Sequence, residues 1–293
     1  MSDEVLSPTR ARALLARHGL RPKKALGQNY LVNAGVLDKV VAAVDVRPGE
    51  TVIEIGPGLG ALTRRLADAG ARVIALELDR DLLPVLAETL GDRPGVEVVA
   101  ADATRIDFGA LLRERGLEGP YKVAANLPYY VTTPIIIRLL EASPAPRRAV
   151  VMVQKEVAER LVASPGTKAY GALSVLVQFY TEPSLVCRVS PGSFFPPPAV
   201  DSAVVALARR ARPAVDVPAP AAFFRLVRAA FGQRRKVLPK ALEGAGLGGR
   251  ETWTRLMRRE GLDPGRRGET LSLEEFGRLV RAWFALQGGK AVL

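Results

Sequence analysis

What this chain has little of narrows the field first. Its 293 residues include one cysteine, Cys187, and one histidine, His18. A lone thiol excludes an internal disulfide framework and points to a reducing compartment. A single imidazole leaves no zinc site and no Ser-His-Asp triad, so any chemistry is expected to run without imidazole and without a metal. Aromatic residues make up only 6%. No apolar run approaches the roughly 20 residues that a membrane span needs. The opening Met1-Ser2-Asp3-Glu4 is acidic and unlike a signal peptide, so a cytoplasmic protein with no membrane partner is expected. Carboxylates are also outnumbered: 30 Asp and Glu face 42 Lys and Arg, for a net charge of +12. Such an excess favours a polyanionic partner, nucleic acid ahead of an anionic membrane.

What is present is a strand-helix alternation. The apolar fraction of 48% supports a full core, and the length suits one large domain plus a small one. Ser7-Pro8 reads as the cap and first turn of a basic helix, and Asn33 caps a second. From Thr51 onward, short apolar strands are predicted at Thr51–Ile55, Arg72–Leu76, Val96–Ala100, Tyr121–Ala125 and Ala149–Val153, with helical patterns between them. Continuous hydrophobicity of this kind implies strands buried on both faces, as in an α/β doubly wound, mostly parallel sheet. Two later β-rich stretches, Ser184–Val189 and Val200–Ala208, suit an antiparallel hairpin at the sheet edge. Further helices are predicted at Ala221–Phe231, Arg234–Leu242, Glu251–Glu260 and Leu273–Leu286, with Trp253 and Trp283 in their core. The expected organisation is a first domain over 1–211 with a basic N-terminal segment 1–32, a Pro/Ala-rich linker over 212–220, and an all-helical domain over 221–293.

Two stretches carry candidate chemistry. Glu54-Ile55-Gly56-Pro57-Gly58-Leu59-Gly60 ends the first strand, where glycines allow a tight turn and close approach of a ligand. The spacing also satisfies a dinucleotide fingerprint, with Glu77 placed for a ribose. Pro57, however, removes an N–H that a phosphate would use, while Glu54 and Asp102 add carboxylates to the same row of strand ends. S-adenosylmethionine fits better, because it has no phosphate, carries a sulfonium, and offers a ribose diol to Glu77 and an amine to Asp102. The second stretch, Asn126-Leu127-Pro128-Tyr129, closes the fourth strand. Asn126 brings a side-chain acceptor, and Pro128 pushes Leu127 towards extended geometry so that its carbonyl points outward. With the Tyr129 ring alongside, these groups could hold a planar base by its exocyclic amine. The same residues also suit a strand-to-helix turn capped by Asn126.

Taken in order, Gln28-Asn29-Tyr30-Leu31, the Glu54–Thr63 loop, Glu77-Leu78-Asp79, Asp102-Ala103, Asn126–Tyr129, Gln154-Lys155-Glu156, Phe194 with Pro196–Pro198, and Gln233–Lys236 form a specific series. The chain resembles the ribosomal RNA adenine dimethyltransferases, most closely the bacterial type acting on small-subunit RNA. The resemblance is strong from Lys23 to Lys236 and weaker beyond. It implies a Rossmann-like methyltransferase domain and a helical RNA-binding domain. It also implies S-adenosylmethionine as cofactor, held by Asn29, Leu31, Gly56, Gly58, Glu77, Asp102 and Asn126. Methyl transfer would take place at Asn126, Leu127, Pro128 and Tyr129, with Phe194 across from Tyr129. Tyr130 and Phe195 double their neighbours, which leaves open which ring of each pair faces the base.

The basic clusters Arg21, Lys23 and Lys24, Arg147 and Arg148, and Arg234, Arg235 and Lys236 are candidates for the RNA backbone. The expected partner is small-subunit ribosomal RNA in a 30S precursor particle, bound by a monomer. The alternatives are a large-subunit RNA adenine methyltransferase of the macrolide-resistance type, a non-catalytic assembly factor, and an NAD-dependent oxidoreductase.

Overall fold

The computed structural model describes residues 7–117 and 119–287; the acidic opening Met1–Glu4 lies outside them. In chain order the elements are α1 (Pro8–Arg17), β1 (Tyr30–Leu31), α2 (Ala34–Val44), β2 (Thr51–Ile55), α3 (Ala61–Asp68), β3 (Arg72–Glu77) and α4 (Leu83–Leu90). Then come β4 (Val96–Ala100), α5 (Phe108–Arg113), β5 (Tyr121–Asn126), α6 (Thr132–Glu141), β6 (Arg148–Gln154), α7 (Lys155–Leu161) and α8 (Ala172–Tyr180). The last are β7 (Thr181–Val189), β8 (Phe194–Phe195), β9 (Ser202–Arg209), α9 (Pro220–Gly232), α10 (Leu238–Gly244), α11 (Arg250–Arg259) and α12 (Leu273–Leu286).

Seven strands form one sheet in the order β4-β3-β2-β5-β6-β9-β7. The pairings from β4 through β6 are parallel, and β9 runs antiparallel to β6. This is the expected α/β doubly wound sheet. The strand order reverses between β2 and β5, and such a switch point opens a crevice at the carboxyl ends of the strands. Register decides what lines it. Ile55, Leu76 and Ala125 stand in one row, so the Gly56 loop, Glu77 and Asn126 emerge side by side. Buried β2, β3, β5 and β6 match the reading of strands covered on both faces, whereas edge strand β4 is partly exposed throughout. The run Tyr121–Ala125 also contains Lys122, which is buried. Its ammonium is tolerated because it pairs with Glu50 at 2.7 Å and meets the Asp45 carbonyl.

The chain divides into two compact units, the first ending at Ala158 and resuming over Ser184–Arg209, the second formed by Glu159–Pro183 and the chain from Arg210 onward. Residues Glu159–Pro183, counted with the sheet in the sequence reading, thus belong to the helical unit. Its core gathers Phe179, Phe223, Phe276, Trp253 and Trp283, with the two indoles 5.5 Å apart. The Pro/Ala-rich stretch is irregular but anchored there, since Val215 is buried in that core and the Asp216 carbonyl accepts from Arg281 at 2.7 Å. The helix expected from Arg234 begins instead at Leu238. Pro239 is tolerated only in a first turn, so Gln233–Lys236 forms a turn ahead of it. Among the described residues no helix is long and apolar enough to cross a membrane.

Candidate active site

The carboxyl ends of β2, β3 and β5 border a cavity of about 230 Å³. Gly56, Gly58, Glu77, Asp102, Asn126, Leu127, Pro128, Tyr129 and Phe194 all line it, as do Asn29 and Leu31. Three carboxylates lie in this lining, Glu54, Glu77 and Asp102, and no lysine or arginine is among the lining residues. A phosphate-bearing ligand would meet acidic groups and no lining cation here, whereas a cationic one with hydroxyl and amine donors finds acceptors.

Each carboxylate is set differently. Glu77 ends β3 and is held by two backbone N–H groups, Asp79 to Oε1 at 2.8 Å and Gly58 to Oε2 at 3.3 Å. Burial raises its pKa, and those two donors oppose the rise. Asp102 is one-third exposed and accepts the Thr104 N–H at 2.8 Å and hydroxyl at 2.6 Å. The Thr104 hydroxyl is the main cause that holds its carboxyl below the usual carboxylate range. Glu54 is 1% exposed, and its Oε2 has no hydrogen-bond partner among the described residues. Desolvation pushes its pKa up to about 8; the neighbouring Thr63 hydroxyl opposes part of this and Glu77 adds to it. The negative charge that the sequence suggests at Glu54 is therefore largely absent at neutral pH, because burial penalises the ionised form.

Gly58 shows why the loop needs glycine. Its φ is +57°, and a Cβ there would stand 2.9 Å from the Tyr30 ring. Tyr30 belongs to a strap over the cavity, residues 23–31, which is tied down at both ends. On one side β1 pairs antiparallel with β8, Tyr30 with Phe195 and Leu31 with Phe194. On the other, Lys23 Nζ reaches Asp79 and Asp81, each at 2.6 Å, and Gln28 Nε2 donates to Asp79 at 2.7 Å. The Tyr30 hydroxyl closes the network on Gln28 at 2.8 Å. Asp79 thus joins the strap to Glu77. Sequence reading assigned it no role, although its place two residues after Glu77 was the available signal.

Asn126 does not cap a helix. Its Nδ2 donates to the Asn29 carbonyl at 3.0 Å, and Val131 occupies the capping position of α6. That bond orients the amide so that Oδ1 is the end left to accept. Among the described residues neither Oδ1 nor the Leu127 carbonyl accepts a hydrogen bond. Pro128 adopts φ −57° and ψ 134°, and its own carbonyl is engaged by Thr132 Oγ1 at 3.1 Å and Val131 N. Two acceptors without a partner among the described residues therefore belong to adjacent lining residues at the switch point. Tyr129 is half-buried, with its hydroxyl 2.7 Å from Ser202 Oγ, while Tyr130 is 55% exposed. Phe194 lines the cavity; Phe195 is turned towards α1, where Arg12 stacks on its ring at 5.4 Å.

The basic candidates scatter. Arg21 and Lys24 are exposed near the strap, whereas Lys23 is engaged by Asp79 and Asp81. Arg147 and Arg148 lie at the amino end of β6, on the opposite edge of the sheet from the cavity, and Arg148 donates to the Ala43 carbonyl at 2.9 Å. Arg234 binds the carbonyls of Lys168 and Tyr170, leaving Arg235 and Lys236 outward in the turn.

Comparison with known proteins decides the family. The family described as Ribosomal RNA adenine dimethylase matches residues 19–283. The chain belongs to it. The relatives include the Ribosomal RNA small subunit methyltransferase A of Pelotomaculum thermopropionicum, 50% identical over 97% of this chain and 99% of its own. The protein of the same name from Moorella thermoacetica is 49% identical over 95% and 98%. Among solved structures, a dimethyladenosine transferase from Plasmodium falciparum superposes with a TM-score of 0.73 at 25% identity, covering 88% of this chain and 98% of that one. The 23S rRNA methyltransferase ErmE gives 0.69 at 28%, covering 87% and 99%. This member of the adenine dimethylases thus matches the family over residues 19–283 and is an enzyme of the methyltransferase class.

Proposed function

We propose that this chain uses S-adenosylmethionine to methylate the exocyclic amines of two adjacent adenosines in the 3′-terminal hairpin loop of 16S ribosomal RNA, giving dimethyladenosines. The reading places it in the cytoplasm, as a monomer acting on a 30S precursor particle. The carrying observation is the pair of unoccupied acceptors, Asn126 Oδ1 and the Leu127 carbonyl, in a chain half identical throughout to small-subunit enzymes.

The cavity suits the cofactor on its polar groups, the Glu77 and Asp102 carboxylates without a lining cation and a largely neutral Glu54 with one oxygen buried without a partner. Glu77 would hold the ribose hydroxyls, Asp102 the adenine amine, and Asn29, Leu31, Gly56 and Gly58 the rest. When bound, S-adenosylmethionine supplies a methyl group on a sulfonium that leaves as a neutral thioether. An adenine amine is a poor nucleophile because its lone pair is delocalised into the ring. Asn126 Oδ1 and the Leu127 carbonyl accept its two hydrogens, which favours a pyramidal nitrogen whose lone pair points into the cavity. Their contribution is positioning and electrostatics, fixed in advance by the Asn29 bond and by Pro128. Tyr129 and Phe194 hold the ring of a base drawn out of its stack, offsetting an unstacking cost of a few kcal/mol. Closure by the strap, residues 23–31, keeps water from the reacting atoms.

The test offers purified small-subunit particles and protein-free large-subunit RNA to the enzyme with tritiated methyl donor, and maps the labelled bases. Label on two adjacent adenosines near the 3′ end of 16S RNA is expected. Label confined to large-subunit RNA would replace this reading with the macrolide-resistance type.

A further inference from the structure

Tyr129 and Tyr130 share one 3-10 turn, Tyr129–Val131, yet meet different surroundings. The Tyr129 ring is turned inward and tied by its hydroxyl to Ser202, while Tyr130 is the most exposed aromatic ring among the large hydrophobics of the described residues. A scattered surface aromatic needs no explanation, but this one is not scattered. It lines the mouth of the cavity, adjoins in sequence the ring that faces the base, and lies on backbone. A Cβ on Gly27 would stand 3.6 Å from Tyr130 Cδ1 and 3.7 Å from Cε1, so one edge of the ring is seated on the strap at a residue with φ +62° and no side chain. One edge of the ring thus lies close to the strap while much of its surface meets solvent. Lys24 in the strap and Arg21 just ahead of it are exposed.

We infer that Tyr130 is a second base platform, outside the pocket, on which the nucleotide neighbouring the target base stacks. This deepens the proposed function and rests on it: the site would read two consecutive nucleotides, one drawn in beside Tyr129 and the next laid on Tyr130. Proteins that bind single strands commonly seat successive bases on successive aromatic side chains, and stacking tolerates any base because each has a π-face. For a substrate whose two modified adenosines are neighbours, the platform holds one while the other reacts. It also ties RNA binding to the strap, because the ring rests on Gly27.

The experiment measures binding on an RNA hairpin whose loop carries two adjacent adenosines, and on copies with one or the other position abasic, and measures methyl transfer separately on purified small-subunit particles. The enzymes are wild type, Tyr130→Phe, Tyr130→Leu and Tyr130→Ala. Tyr130→Phe is expected to match wild type. Tyr130→Ala and Tyr130→Leu should weaken RNA binding by about tenfold, within the range for loss of one stacked base, with kcat and the affinity for S-adenosylmethionine unchanged. An abasic neighbour should weaken wild-type binding to a similar degree and cost Tyr130→Ala nothing further. The inference is overturned if Tyr130→Ala binds RNA as tightly as wild type, if Leu substitutes as well as Phe, or if the abasic neighbour costs both enzymes equally. A wild type that shows the abasic effect on binding but transfers no methyl would count against the proposed function and leave the platform standing.

Discussion

The two units carry very different net charges, although both contain ion pairs, Arg210–Glu182, Arg266–Glu275 and Arg281–Glu274 among them in the helical one. The sheet-bearing unit holds 23 Lys and Arg against 20 Asp and Glu, and the helical unit 19 against 10, so nine of the twelve net positive charges fall on the smaller one. In the first, cations close onto carboxylates: Arg17 with Glu88, Arg65 with Asp38, Arg93 with Asp68, Arg115 with Glu97 and Lys23 with Asp79. In the second, Arg235, Lys236, Lys240, Arg255 and Arg258 are exposed and form no ion pair among the described residues. Surface pairs add little stability, so the main effect of pairing in the first unit is to cancel positive charge. Cations left open in the second are available to a polyanion. We propose that the first unit takes the small cationic cofactor and that the open cations of the second take phosphates.

The strongest way to break this division is at the cavity. Asn126→Ala should reduce methyl transfer at least about 100-fold, as loss of a preorganised polar group in a site typically does. Cofactor binding by calorimetry should persist. Near-normal incorporation of tritiated methyl would remove Asn126 from the mechanism. The next effect lies in the helical unit. Replacing Arg235, Lys236 and Lys240 with Ala should weaken RNA binding and lower the slope of log K against log salt by about 2 to 3, because each phosphate left unneutralised keeps its condensed counterion. Replacing Arg17, Arg65 and Arg93, already paired in the first unit, should leave that slope nearly unchanged. Equal slopes for the two triple variants would erase the contrast.

A smaller effect concerns stability. Glu54 has an ordinary pKa of 4.5 in the unfolded chain and about 8 when folded, so the folded state binds the extra proton between those values. Its contribution is fully present below 4.5 and is lost progressively as pH rises through 8. Glu54→Gln, which cannot ionise, should become more stable than wild type as pH rises through this window, by an amount on the order of a few kcal/mol. Thermal melts at a series of pH values would show it, and parallel curves would mean that Glu54 ionises freely. The smallest effect is expected from Lys23→Met. Freed from Asp79, the strap should release S-adenosylmethionine a few-fold more readily while kcat at saturation holds; an unchanged cofactor KM would show that the β1–β8 pairing alone keeps the strap closed.

Much of the site was legible in residue order. The Gly56–Gly60 loop, Glu77, Asp102 and Asn126 each follow a strand, and a parallel sheet necessarily brings such positions to one edge. What stayed hidden was which groups meet across distance. Nothing near Asn126 announces that Asn29 will fix its amide, and nothing in the pair Tyr129-Tyr130 says which ring turns inward. Arg147 and Arg148 illustrate the converse: a basic cluster reads the same on either edge of a sheet, and only strand direction put it at the edge away from the cavity. The helix expected at Arg234 gave way to a turn because Pro239 limits where α10 can start, a local signal that the apolar spacing outweighed in the reading.

The sequence by itself determined the fold class, the order of the strands along the chain and the residue types that reach the cavity, because apolar periodicity and glycine placement are local properties. The tertiary structure alone decided protonation, pairing and facing. Glu54 is largely neutral at pH 7 because neighbouring strands exclude water from it, Lys23 is a clasp because Asp79 lies beside it, and Phe194 and Phe195 part company because β1 pairs with β8. Each of these depends on what lies near in space but far in sequence, and desolvation and hydrogen bonding respond only to that.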